Sequence, residues 1–448
     1  MVTRRPAGWS ARQGLAIAIV TALLMVGLAA CGQKRTQLVA DSSPAEAEES
    51  AGVSDTDVRV GFIVVDQSRL GSTLGFTTPD AGDVEGQIET LAAAVNADGG
   101  IGGRDLVPVI RVFDALTDSA TNEEKLCRAF TEDDNVFAVV LMGMFQETAR
   151  PCYAAQSTLM LDQTLFPMDH TEAATLAPYL YQPSLPEYGQ LLSGLADAMR
   201  AEDFLTDETR LGIIGIDTDQ NRRVVEEQLL PRLEELGAEP VDTQWVDPTS
   251  SATLQAGQNQ AVLAFKENEV DRVVVVGGSR LLAFFLTIAV PQKYFPMYAV
   301  TTFDNANFVA SSNSGAMEGS LGISVLPGSD IGSAELEFPF SPGEERCLAV
   351  LADGGHTFEA RENARQATLY CDAVFLLADA FADSDGEPIT AEAFMAGAAE
   401  IGPVENASNY AADYRPDNFA GASAYRPIRF DTDCSCYRLI GPTEEFPK

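Results

Sequence analysis

Residues Leu91–Asp114 read LAAAVNADGGIGGRDLVPVIRVFD. An apolar, Ala-rich segment runs into Asn96, Asp98 and the glycines Gly99, Gly100, Gly102 and Gly103. An alternating run of Leu106, Val107, Val109, Ile110, Val112 and Phe113 then leads to an acid, Asp114. The order is helix, sharp stop, strand, polar residue. Glycines suit the positive φ of a helix C-terminus, where other side chains are strained. A polar group just past a strand's carboxyl end borders the crevice in which open α/β sheets hold ligands. Read loosely, the same glycines could cradle a phosphate, but that motif needs a strand before it and a helix after it. The reversed order here argues against a dinucleotide site.

Working outward, the near-continuous apolar run Asp57 to Val65 predicts a strand buried on both faces, and a helix is expected over about Asp83 to Val95. The wording VNADGGIGGRDL, placed after that first strand and helix and before a second strand, resembles the first βαβ unit of the type I periplasmic solute-binding proteins. The nearest branch is the one that contains the leucine/isoleucine/valine-binding proteins of ABC importers. The resemblance extends over most of the chain from about Asp57. It implies an α/β fold of two lobes, each a mostly parallel sheet flanked by helices, joined by a hinge of crossing strands. It further implies a protein that captures a small polar molecule, an amino acid or a related compound, and delivers it to an ABC permease, with no cofactor and no catalysis.

The amino terminus fits an exported chain. Residues 1 to 30 hold Arg4, Arg5 and Arg12, no acid, and an apolar run from Gly14 to Ala30. The run is short for a membrane span, which needs about 20 apolar residues, and its basic flank reads as an export signal. The signal ends in Leu28-Ala29-Ala30-Cys31-Gly32, which resembles the bacterial lipobox. The resemblance implies cleavage before Cys31 and acylation of its thiol, hence a lipid anchor on the outer face of the cell membrane. Gln33 to about Thr56 is rich in Ser, Ala and Glu and cannot bury enough to order itself, so it reads as a tether.

Beyond the tether, β-loop-α units recur to about residue 182, and a second set follows to about residue 304. Ser184-Leu185-Pro186-Glu187 reads as a capping box that opens a helix. In the family the chain then returns to the first lobe and finally crosses back. The expected organisation is therefore 1–30 signal peptide, 31–56 tether, 57–182 with 305–424 the first lobe, and 183–304 with 425–448 the second. Several crossings let two lobes hinge without drifting apart.

The 448 residues carry 29 Lys+Arg against 66 Asp+Glu, a formal net charge of −37. Nucleic acid is a poor partner for such a surface. Two histidines, His170 and His356, leave little for His-dependent triads or metal sites. The sequence has no Gly-x-Ser-x-Gly elbow and no Walker loop. Asp217 to Asn221 begins like a calcium loop, but Arg222 and Gln228 stand where its glycine and glutamate belong. Besides Cys31 there are six cysteines, an even number that suits disulfides in an exported chain. Cys127 and Cys152 flank one strand and loop of the first lobe and are expected to pair, as the resemblance also allows. Cys347, Cys371, Cys434 and Cys436 are left to pair among themselves in no fixed way, with a zinc site as the alternative.

What remains is a set of polar loops after strands. Ser68 and Arg69, then Phe145, Gln146 and Thr148, then Asp162, Gln163 and Thr164 belong to the first lobe. Asp219 and Gln220, Ser279 and Arg280, and Phe303 and Asp304 belong to the second. These are the candidate ligand contacts, and facing loops of this kind form a cleft. The amino-acid binders of this branch hold the ligand's carboxylate and ammonium with a Ser/Thr-rich segment, of which only Thr148 and Thr164 are echoed here. Asp304 could serve an ammonium, and Arg69 or Arg280 an anion. Two other functions fit the sequence less well: a lipoprotein that senses a ligand for a membrane partner, and a secreted hydrolase.

Overall fold

The computed structural model describes residues 50–67, 78–143, 148–312, 314–384 and 387–447, with the backbone alone at 251, 279, 280, 311 and 312. The deciding stretch folds as its residue types require. Helix α1 (Val84–Ala97) ends at four glycines that all take positive φ, from 53° at Gly102 to 111° at Gly99. Ile101 and Arg104 close a tight turn by exchanging backbone hydrogen bonds. A Cβ on Gly100 would lie 2.0 Å from the Arg104 carbonyl oxygen, so no other residue fits. Asn96 then acts as a piece of backbone. Its Oδ1 accepts from Leu106 N at 2.6 Å and its Nδ2 donates to Leu106 O at 3.0 Å, which fixes where the next strand starts.

Strand β1 (Asp57–Asp66) pairs in parallel with β2 (Asp105–Asp114) over its whole length, Asp57 opposite Asp105 and Asp66 opposite Asp114. With β3 (Ala138–Leu141), β4 (Leu159–Asp162) and β5 (Leu180–Tyr181) they make an all-parallel sheet in the order β2-β1-β3-β4-β5. Helices α2 (Ala120–Arg128), α3 (Ala149–Ala155) and α4 (His170–Leu176) complete these connections. Val58, Val60, Phe62 and Ile63 of β1 are fully buried, as a strand covered on both faces demands.

Helix α5 (Tyr188–Ala201) opens the second lobe. Its N-cap is Glu187, whose carboxylate accepts from Gly189 N and Gln190 N. The expected Ser184 box is not formed, because Pro186 keeps the residue before it out of helical geometry. The second sheet takes β6 (Leu211–Ile216), β7 (Asp242–Val246), β8 (Arg272–Val276), β9 (Met297–Val300) and β10 (Leu321–Ser324). Between them run α6 (Asp219–Val224), α7 (Leu230–Glu235), α8 (Ser251–Glu267), α9 (Ser279–Ala289) and α10 (Ala306–Ser312), followed by the short α11 (Pro327–Asp330).

The chain then returns to the first lobe with α12 (Pro342–Asp353), α13 (Arg361–Asp379) and α14 (Ala391–Ile401). Tyr370 on α13 donates to the Ile63 carbonyl at 2.6 Å. A two-stranded ladder, β11 (Gly402–Val404) with β12 (Ala412–Tyr414), precedes the last crossing to β13 (Ala424–Asp431), β14 (Cys436–Leu439) and β15 (Glu444–Glu445). The second sheet reads β14-β13-β10-β9-β8-β6-β7, with β15 against β13.

One boundary differs from the sequence reading. Residues 305–424 were expected in the first lobe, but β10 pairs with β9 and β13 of the second sheet. The four residues of β10 are buried, and Gly322 sits so close to Val300 that a Cβ would lie 2.9 Å from the Val300 carbonyl oxygen. The return begins with α12.

Cys127 is bridged to Cys152, Cys347 to Cys371, and Cys434 to Cys436. The last pair closes on itself across Ser435, which takes φ of 52° between β13 and β14. With all six thiols in bridges, the zinc alternative has no ligands left, and no group of residues among those described could hold a metal. No helix among the described residues is long and apolar enough to cross a membrane.

Candidate ligand-binding site

Two buried aspartates organise the crossings between lobes. Asp372 on α13 accepts from Ser184 Oγ at 2.8 Å, from Ala407 N at 2.6 Å and from both the backbone and the hydroxyl of Ser408. It therefore joins the first crossing to the third. Asp330 accepts from Thr302 Oγ1 at 2.7 Å and from the amides of Val325 and Leu326, which ties the second crossing to the end of β9. Burial pushes both carboxyls up, to about 6.

The loop after β4 reaches across to the second lobe. Arg150 anchors its base, paired with Asp162 at 2.5 Å and donating to the Phe166 carbonyl at 3.0 Å, with its guanidinium over the Phe166 ring. Farther along, Gln220 of α6 donates to Pro167 O and accepts from Asp169 N, both at 3.0 Å. Arg223 of the same helix pairs with Asp169 at 2.5 Å. The hydrogen bond that Arg223 donates to Asp169 raises the Arg223 pKa.

Between this loop and the carboxyl ends of β6 and β8 lies a cavity of about 720 Å3. Its size suits a small organic molecule. Phe166 and Pro167 face it from the first lobe, and Ile216, Asn221 and Phe284 from the second. Phe284 is 47% exposed although apolar. Asn221 is 4% exposed; its Nδ2 donates to Ile216 O, and its Oδ1 has no hydrogen-bond partner.

The candidate contacts divide sharply. Ser68, Arg69, Phe145 and Gln146, like Cys31, lie outside the described residues. Thr148 lines the cavity. Asp219 and Gln220 line a smaller recess beside it, with Arg150. Ser279 and Arg280 open α9 next to Gly277, a cavity residue, but their side chains are not described. Asp162, Gln163 and Thr164 turn inward instead. Asp162 Oδ1 caps Thr164 while its Oδ2 meets Arg150, and Gln163 Nε2 donates to Ser184 Oγ and the Leu369 carbonyl. Phe303 is fully buried, edge-on to Tyr188.

Asp304 is also internal, since its Oδ2 accepts from Thr301 N at 2.7 Å and Thr301 Oγ1 at 3.0 Å. Burial pushes this carboxyl up to about 7. It is a turn cap, held away from the cavity lining. Asp114, expected at the crevice, caps the turn after β2 through Leu116 N, on the edge strand. Asp217 of the calcium-like loop is held by Arg222, which keeps its pKa low.

The sequence reading passed over Arg150, Phe166 and Phe284. An arginine followed by proline at a helix start, or an aromatic on an apolar helix, carries no signal of its own. It also passed over Arg365, near the start of α13 and beside the end of β1, whose Nη2 lies 3.5 Å from Gln67 Oε1.

No protein-family model and no curated protein matches this chain. Solved structures do. A branched-chain amino acid ABC transporter protein from Thermus thermophilus with bound valine superposes with a TM-score of 0.58 at 16% identity, covering 88% of this chain and 98% of that one. A solute-binding protein from Rhodopseudomonas palustris HaA2 in complex with p-hydroxybenzoic acid gives 0.61 at 11%, over 88% and 98%. A fatty acid ABC transporter substrate-binding protein from Thermomonospora curvata gives 0.59 at 14%, over 89% and 95%. The likeness, at 11–16% identity, is one of fold: the chain has the fold of the type I periplasmic solute-binding proteins.

Proposed function

We propose that this protein is the extracytoplasmic solute-binding component of an ABC importer, closing its two lobes on a small molecule and presenting it to a membrane permease. The observation that carries the reading is the cavity bounded by the loop after β4 on one side and the ends of β6 and β8 on the other. A ligand there touches both lobes at once, so it favours the closed arrangement by its contacts in that state alone. Of the neighbours named above, one holds valine, one holds p-hydroxybenzoic acid and one is a fatty acid transporter's substrate-binding protein. The apolar faces of Phe166, Pro167 and Phe284 suit a solute with an apolar body. Thr148, Asp219, Gln220, Ser279 and Arg280 stay as proposed contacts. Isothermal titration with valine, 4-hydroxybenzoate and a medium-chain fatty acid tests the reading: micromolar binding of any one supports it.

The lipid anchor is part of the same proposal. Cys31 after Leu28-Ala29-Ala30 would carry the lipid, and residues 33–49 would hold the lobes near the membrane; residues 50–56, expected in the tether, are instead folded on the first lobe, where Gly52 O accepts from Arg59 N and Ser50 N donates to Ile389 O. A Cys31→Ser variant is expected in the soluble fraction and the parent in the membrane fraction. Signal sensing is the second reading, and a missing transport defect on deletion would favour it.

A further inference from the structure

Arginines in the interior and at the lobe boundary of this acidic chain are held by strong partners. Arg150 is on Asp162, Arg223 on Asp169 and Arg361 on Glu344, and Arg426 makes two bonds to the Gly441 carbonyl. Arg365 is different. It is half-buried, and among the described residues the one hydrogen-bond contact of its guanidinium is the 3.5 Å approach to Gln67, at the outer limit of such a bond. No carboxylate among the described residues lies within ion-pair distance of it. Burial lowers its pKa, and the acid that acts against this is Glu362, an exposed residue of its own helix.

Its position is the second observation. Gln67 directly follows β1, so Arg365 stands at the carboxyl edge of the first sheet. On its other side is Gly328 of α11, where a Cβ would lie 3.1 Å from the Arg365 Cβ. Through Asp330, α11 is bonded to Thr302 beyond β9 of the second sheet. Arg365 therefore lies between the carboxyl edge of the first sheet and the second crossing. A partly desolvated guanidinium without a counter-ion is a cost to folding, and a chain with 66 acidic residues has had every means of removing it.

We infer that Arg365 is the anion-binding residue of the cleft and that the captured solute carries a carboxylate. The guanidinium offers a planar fork that matches a carboxylate in two parallel hydrogen bonds. In a strongly acidic protein a guanidinium suits a monoanion better than a doubly charged phosphate monoester. The inference rests on the solute-binding reading and specifies its ligand.

The test pairs acids with their uncharged amides, namely benzoate with benzamide, 4-methylpentanoate with its amide and leucine with leucinamide, in thermal-shift and titration measurements on the purified protein and on Arg365→Gln and Arg365→Lys. The expected result is that one or more acids bind, their amides bind at least tenfold more weakly, added salt weakens the acids, and Arg365→Gln loses the preference while Arg365→Lys keeps part of it. Without ligand, Arg365→Gln should melt at the same temperature as the parent or higher, whereas a structural arginine would lower it. Amides binding as well as acids, unchanged acid affinity in Arg365→Gln, a lowered melting temperature in that variant, or phosphate monoesters binding where carboxylates do not would each overturn the inference. If amides or other neutral solutes bind, solute capture stands and only the carboxylate assignment fails. If nothing binds the parent protein, the capture reading itself fails.

Discussion

Arg223 of α6 meets Asp169 of the loop after β4 at 2.5 Å, a charge pair that spans the two lobes beside the cavity. Gln220, one turn earlier, makes two more bonds to the same loop. Together they latch the two lobes.

Removing the latch should loosen closure without unfolding either lobe. The pair is partly solvated, with Arg223 25% exposed, and such pairs contribute about 1 kcal/mol or less. Arg223→Ala is therefore expected to weaken solute binding about fivefold or less and to raise the radius of gyration in small-angle scattering. An unchanged radius and affinity would show that the contact is incidental.

The Arg150–Asp162 pair is a different case, since both side chains are nearly inaccessible. Arg150→Ala would strand a buried carboxylate, and breaking such a pair from one side costs about 3–5 kcal/mol. Denaturant unfolding should register that loss. The double variant Arg150→Met, Asp162→Asn should recover part of it, because no unpaired charge is left.

The three bridges should not be equal. Cys127–Cys152 and Cys347–Cys371 close loops with separations of 25 and 24 residues, and Cys434–Cys436 one of 2. In the chain-entropy account the longer loops are worth ~3.5 kcal/mol each and the shortest ~1.6 kcal/mol. Replacing both cysteines of one bridge with serine, one bridge at a time, and measuring unfolding tests that ranking.

Three buried carboxyls set a pH dependence. Burial raises Asp304 to about 7 and Asp330 and Asp372 to about 6. Between about pH 4 and pH 7 the unfolded chain releases protons that the folded protein retains, so stability falls as pH rises through this window and levels off above it. Asp217, held low by Arg222, acts in the opposite sense but only below the window. Melting temperatures across pH 4.5–8 should therefore decline, and Asp304→Asn should flatten the decline; a rise over that range would contradict the assignment.

The fold was legible because its signals are local. The glycines after α1 specify positive φ whatever surrounds them, and the unbroken apolar run of β1 can only belong to a covered strand. The assignment of β10 to the second sheet was not legible, since a four-residue stretch such as Leu321-Gly322-Ile323-Ser324 looks alike whichever sheet accepts it. The site was legible only as a set of loops. Asp162 and Asp304 look like ligand contacts in sequence, yet Asp162 is taken up by Thr164 and Arg150, and Asp304 by Thr301. Arg365 is the converse, a half-buried polar residue on a helix with no carboxylate partner among the described residues, and an absence in space leaves no mark in sequence.

The most direct test of the account is a thermal-shift screen of the purified protein and of Ala252→Trp, a variant whose indole would fill the cavity from the first turn of α8, against amino acids, aliphatic and aromatic carboxylates, their amides, polyamines, nucleosides and sugars. A ligand at a hundred times its dissociation constant adds about 2.7 kcal/mol. The account predicts that at least one compound raises the melting temperature of the parent by several degrees and leaves Ala252→Trp unmoved. Silence across the screen, or an equal shift in the filled variant, would contradict capture of a solute between these lobes.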